Sequence, residues 1–184
     1  MKITACLIHK GDTYPKKVLE RLETSFFDEI LIKENSPSIY ERYLLAAKAR
    51  NEIIYCQDSD CFINYQVLFS HWNGRITNSM TYEFQRRYEE LGCTLMGWGS
   101  FFNKSMLGVF DKYISVYGEN DPQLLREADR IFTYLNKPFN TIVMPHQDLF
   151  QDEERMSMVD GRINQAHFDS MHEALRKCSL LENT

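Results

Sequence analysis

The sequence lacks any apolar run near the ~20 residues that a membrane-spanning helix needs, so no helical span is expected. It also lacks a cysteine framework. The five cysteines (Cys6, Cys56, Cys61, Cys93, Cys178) are odd in number and no two form a C-x-x-C pair. Neither a disulfide scaffold nor a zinc knuckle is expected, and reduced thiols in a cytoplasmic protein are. Positive charge is short as well. Lys and Arg total 21 against 26 Asp and Glu, a net −5, and residues 119–184 hold 12 acidic and 7 basic residues. Such a balance offers no general attraction to phosphate backbones, so charge gives a nucleic-acid acceptor no support. No repeat and no Pro/Gly/Ser linker divides the chain.

What is present is ordinary globular composition, 43% hydrophobic and 26% charged. Residues 1–184 fit one domain with a real core. The N-terminal MKITACLIHKGD has too short an apolar stretch for a signal peptide, and Lys2–Ile8 reads as a buried strand. Val18, Leu19, Leu22 and Phe26 fall on one helical face after Pro15. Glu29–Lys33 is a second strand, Ile39, Tyr43, Ala46, Ala47 and Arg50 mark a second helix, and Glu52–Cys56 is a third strand. Three strands joined by two helices predict an α/β fold with a mostly parallel, Rossmann-like central sheet flanked by helices. Ligands of such sheets bind beyond the carboxyl ends of the strands. His9–Asp12, Lys33–Asn35 and Asp58–Asp60 all fall there.

The second half is less regular. Arg75–Met80 and Cys93–Gly97 read as strands, with a helix around Phe84, Tyr88 and Leu91 between them. Gly97-Trp98-Gly99-Ser100 reads as a turn before an aromatic helix carrying Phe101, Phe102, Met106, Phe110 and Tyr113. Pro122–Leu135 is amphipathic, with Leu125, Ala128, Ile131, Phe132 and Leu135 expected inside. Thr141–Met144 is a short strand expected beside the one that ends near Asp58. A last helix, 163–181, should bury Ile163, Ala166, Met171, Ala174, Cys178 and Leu181.

Asp58-Ser59-Asp60 places two carboxylates two residues apart at a strand end. Hard divalent cations such as Mn²⁺ and Mg²⁺ take such oxygens and keep positions for substrate phosphates. The competing reading is a turn in which the two carboxylates cap backbone amides.

The run from Glu41 through Ala46, Ala47 and Arg50 into the strand and Asp58-Ser59-Asp60 resembles a GT-A glycosyltransferase. Arg126-Glu127-Ala128-Asp129 is similar to that family's second acidic motif, although Ala128 here separates the two acids. Gly97-Trp98-Gly99-Ser100 resembles its glycine-bearing turn before the acceptor side. The likeness covers about residues 2–150 and is read as family-two-like.

The resemblance implies transfer of a sugar from a nucleoside-diphosphate sugar to a hydroxyl acceptor, with Mn²⁺ or Mg²⁺ as cofactor. It implies Asp58, Asp60 and His146 as metal ligands, and His9, Lys33, Asn35, Arg42, Asp58, Ser59 and Trp98 around the nucleotide sugar. Asp129, with Glu127 beside it and Asp121 in reserve, becomes the acid-base residue that takes the acceptor proton. Each has a bland alternative: Asp129 paired with Arg126 or Arg130, Trp98 in the core, His146 an ordinary surface histidine. A nucleotidyltransferase also uses paired aspartates, but it more often has a Gly-rich basic loop. His9-Lys10-Gly11-Asp12 supplies one glycine and one lysine. A non-catalytic nucleotide-sugar-binding module is the other alternative.

Overall fold

The computed structural model describes residues 1–9, 16–59, 61–82, 85, 88, 90–148 and 165–183. In chain order these form β1 (Ile3–Ile8), α1 (Lys16–Leu19), β2 (Glu29–Lys33), α2 (Glu41–Ala47), β3 (Ile53–Asp58), β4 (Cys61–Phe62) and α3 (Tyr65–Ser70). There follow β5 (Thr77–Met80), β6 (Ser100–Asn103), a 3₁₀ turn (Lys104–Gly108), α4 (Val109–Tyr117), α5 (Pro122–Leu135), β7 (Asn140–Val143), β8 (Gln147–Asp148) and α6 (Gln165–Glu182).

The fold is α/β. Six strands form one sheet in the order β2-β1-β3-β6-β5-β7, and β4 pairs with β8 in a second, small one. β1 pairs in parallel with both β2 and β3, as the alternating first third predicts. β6 is antiparallel to β3 and β5, and β7 is parallel to β5. Five strands therefore run one way and β6 the other. Their carboxyl ends share one edge with the amino end of β6, so the Gly97–Gly99 turn arrives at the same edge as His9 and Asp58.

Alternate residues of the central strands feed two cores. Ala5, Leu7, Ile53, Tyr55 and Phe101 pack with Val18, Leu22 and Leu68 on one face. Cys6, Ile54, Cys56 and Phe102 pack with Tyr43, Phe110, Ile131 and Phe132 on the other. A sheet buried on both faces reads as continuous apolar runs. Phe101 and Phe102 show the consequence: the expected aromatic helix begins only at Val109, and these two rings belong to β6 instead.

Three other expectations are corrected. Cys93–Gly97 is not a strand, because side chains of α5 take its backbone donors: Thr94 N–H bonds Thr133 Oγ1 and Met96 N–H bonds an Asp129 oxygen. β7 does not lie beside β3; it pairs with β5 at the sheet edge. Leu125 and Ala166 are exposed. In α5 it is Leu124 that is buried, because Asp121 caps the helix from Gln123 and Leu124, and the backbone leaves helical angles at Glu127 (φ −117°, ψ 23°). The freed Leu125 carbonyl accepts from Ile39 N–H at 3.1 Å, which ties the kink to the start of α2. Phe84 and Ile163 lie outside the described residues.

Candidate functional site

From β1 the chain crosses to β2 on one side and returns to β3 on the other. That reversal of strand order is a topological switch point, beyond which doubly wound sheets take ligands. His9 follows β1 and Asp58 ends β3, with Ile8 and Asp58 paired in register.

His9 is only 7% exposed, and among the described residues neither ring nitrogen has a hydrogen-bond partner. Buried polar atoms are nearly always satisfied, so this imidazole has hydrogen-bonding capacity for a water or a ligand. Its backbone is held from both sides: His9 N–H donates to the Lys33 carbonyl at 3.2 Å, and Ser36 N–H donates to the His9 carbonyl at 2.9 Å. Lys33 is half-buried and pairs with Glu41 at 3.6 Å. Asn35 is exposed and takes a left-handed backbone, φ 51°, which turns the chain after β2.

Asp58 has a 39% exposed side chain, against 2% for its partner Arg42, which donates to Asp58 Oδ1 through Nη2. Asp58 N–H also donates to the Gly97 carbonyl at 2.7 Å. A Cβ on Gly97 would lie 2.1 Å from Asp58 Oδ2 and 2.8 Å from Arg42 Nη2. The glycine that sequence reading treated as a turn is thus required by the close seating of that carboxylate. Ser59 is buried, and Asp60 lies outside the described residues.

Arg42 Nη1 bonds Asp129 Oδ1 on α5. Tyr43 donates to the same oxygen at 2.8 Å, and Met96 N–H donates to Asp129 Oδ2 at 3.0 Å. Asp129 is 4% exposed. A base for an acceptor hydroxyl needs an open oxygen, and both oxygens of Asp129 are engaged inside the protein. Glu127 is fully buried against Arg130, which also donates to Tyr88 at 3.2 Å. Asp121 caps α5 and bonds Lys177 of α6. None of these three carboxylates has the exposed oxygen that the acid-base reading expects. The partner of Asp129 is Arg42 and not Arg126 or Arg130.

Burial alone pulls the Arg42 guanidinium down, yet the charges of Asp129 and then Asp58 hold it well above its ordinary value. Burial likewise pushes the Tyr43 hydroxyl up, with Asp129 adding to it.

Across the Gly97–Gly99 turn stands His146. Its ring meets half-buried Trp98 edge to face, centroids 4.7 Å apart. Ser79 Oγ donates to the Trp98 carbonyl, which can only accept. The 3.2 Å contact between Ser79 Oγ and His146 Nε2 therefore has the imidazole donating. His146 and Pro145 also line a shallow pocket of about 260 Å³ with Phe62, Ile63 and Asn64, which follow the Asp-Ser-Asp segment after Cys61.

Among the described residues no three His, Cys, Asp or Glu side chains gather as a metal cage. A hard cation that keeps waters and diphosphate oxygens needs only one or two protein carboxylates, and a partly open Asp58 fits that demand. Tyr43, Met96 N–H, Thr133 and Ser79 were not legible as parts of the site. For Ser79 a signal existed: Thr77-Asn78-Ser79 is a polar run inside a strand, and fully buried polar strand residues imply specific partners. No family model matches the sequence, and neither does any curated protein.

Proposed function

We propose that the chain is a glycosyltransferase of the GT-A type, moving a sugar from a nucleoside-diphosphate sugar to a hydroxyl. Mn²⁺ or Mg²⁺ is held by Asp58, with Asp60 and His146 as its further ligands. The observation that carries this reading is the placing, at the carboxyl ends of adjacent strands, of a buried imidazole (His9) whose ring nitrogens have no hydrogen-bond partner among the described residues and a partly open carboxylate (Asp58). His9 offers one donor and one acceptor to the nucleotide, and Lys33 and Asn35 flank it from the end of β2. Trp98 offers an apolar ring face to a sugar. The cation supplies charge stabilisation to the departing diphosphate.

A module that binds a nucleotide sugar without transferring it is favoured by one observation, the enclosure of Asp129 and Glu127. The test is release of free nucleoside diphosphate from a panel of UDP-, GDP-, CDP- and ADP-sugars in Mn²⁺. The proposal expects metal-dependent release from at least one donor, lost on chelation. Donor binding in Mn²⁺ with no release, with or without a panel of hydroxyl acceptors, establishes the binding module instead.

A further inference from the structure

Arg42 stands between two carboxylates of opposite character. Asp129 is locked inside with Arg42, Tyr43 and Met96 N–H on its oxygens, whereas the side chain of Asp58, at a strand end, is 39% exposed. One guanidinium between two carboxylates leaves one net negative charge among these three side chains. How that charge divides decides whether Asp58 can serve a cation. A guanidinium neutralised by a buried partner leaves Asp58 its charge, while a guanidinium with only Asp58 to face consumes it. Removing one member of a buried ionic group leaves the others uncompensated, so the effect passes along the row.

We propose that Asp129 is a positioning residue for the metal site, the counter-ion of Arg42 that keeps the charge and orientation of Asp58 available to a divalent cation. This rests on the reading of Asp58 as a metal ligand. The role differs from proton abstraction, for which Asp129 has no open oxygen. It also accounts for three donors of different kinds converging on one carboxylate two residues past the kink in α5. The three donors seat a carboxylate beside Arg42, where an amide would only keep the shape.

The experiment is a Mn²⁺ titration of the full chain, read from the electron paramagnetic resonance of free Mn²⁺. It uses wild type, Asp58→Asn, Asp129→Asn, Arg42→Gln and the Arg42→Gln/Asp129→Asn double variant, each checked for folding by circular dichroism. Asp129→Asn should weaken Mn²⁺ by about ten- to a hundredfold, the scale of one unit charge lost near a partly buried cation site. Arg42→Gln should bind Mn²⁺ at least as tightly as wild type. The double variant, whose net charge matches wild type, should recover most of the loss. A purely structural role makes every variant weaker and the double weakest, and that pattern overturns the proposal. So does an Asp129→Asn variant with wild-type affinity while Asp58→Asn has lost it. Should Asp129→Asn not fold, Arg42→Gln decides alone: weaker binding than wild type overturns the proposal. If Asp58→Asn binds Mn²⁺ as wild type does, the metal reading itself fails and the inference falls with it.

Discussion

Arg42 and Asp129 lie 87 positions apart and meet inside the protein, guanidinium to carboxylate, at 1% and 4% exposure. The contact joins α2, which leads into the strand of Asp58, to α5. Tyr43 reinforces it, its ring packed on Phe110 and Phe132 at 4.8 Å from each and its hydroxyl on Asp129.

That junction should dominate the effect of substitutions at Asp129. Asp129→Leu removes the acceptor of three buried donors and should cost about 3–5 kcal/mol, the scale for breaking a buried pair. Asp129→Asn keeps an acceptor oxygen and should cost clearly less. Urea unfolding of the two variants checks this. Equal losses would mean that the shape of the side chain, and not its acceptor capacity, holds α2 to α5.

Gly97 should tolerate no side chain. Gly97→Ala places a methyl within 2.1 Å of Asp58 Oδ2, so the carboxylate or the turn must move. Overpacking of this kind costs ~1–3 kcal/mol. Gly108→Ala, where an added Cβ meets nothing within 4 Å, is the control and should stay within ~0.5 kcal/mol of wild type. Thermal melts of both variants measure the difference, and a Gly97→Ala protein as stable as the control would contradict the close seating of Asp58.

The first third of the fold was legible because strands and helices there alternate with clear periods, and each partner lies in a neighbouring element. The second half was not. Phe101 and Phe102 are buried on opposite faces of the sheet, so their pattern has no period to read. The Cys93–Gly97 stretch looks like a strand locally, but Thr133 and Asp129 take its donors from far along the chain. The strand-end positions of His9 and Asp58 were legible from the strand pattern alone. The enclosure of Asp129 was invisible, because its counter-ion comes from another helix and local sequence offered only Arg126 and Arg130.

Acid should loosen the junction of α5 and α6. Burial raises the Asp121 carboxyl, but hydrogen bonds from Lys177, Leu124 N–H and Tyr113, and the charge of Lys177, outweigh it and hold the group below its ordinary value of 3.8. A depressed folded-state value means that the stabilisation is fully present above the unfolded value. It is lost as pH falls through the folded value, in a window from about pH 5 downward. The stability gap between wild type and Asp121→Asn should therefore shrink as pH drops from ~6 to ~2. A gap that stays constant over that range, measured by urea midpoints, would remove Asp121 from the acid response.

The most direct test of the metal-held nucleotide is calorimetry of UDP and GDP binding, in Mn²⁺ and in chelator, to wild type and Asp58→Asn. The account predicts that wild type binds at least one of them about tenfold or more tighter with Mn²⁺. Asp58→Asn should stay folded and gain nothing from the metal. An equal gain from Mn²⁺ in Asp58→Asn, or no binding of either nucleotide by wild type in Mn²⁺, would contradict the account at its centre.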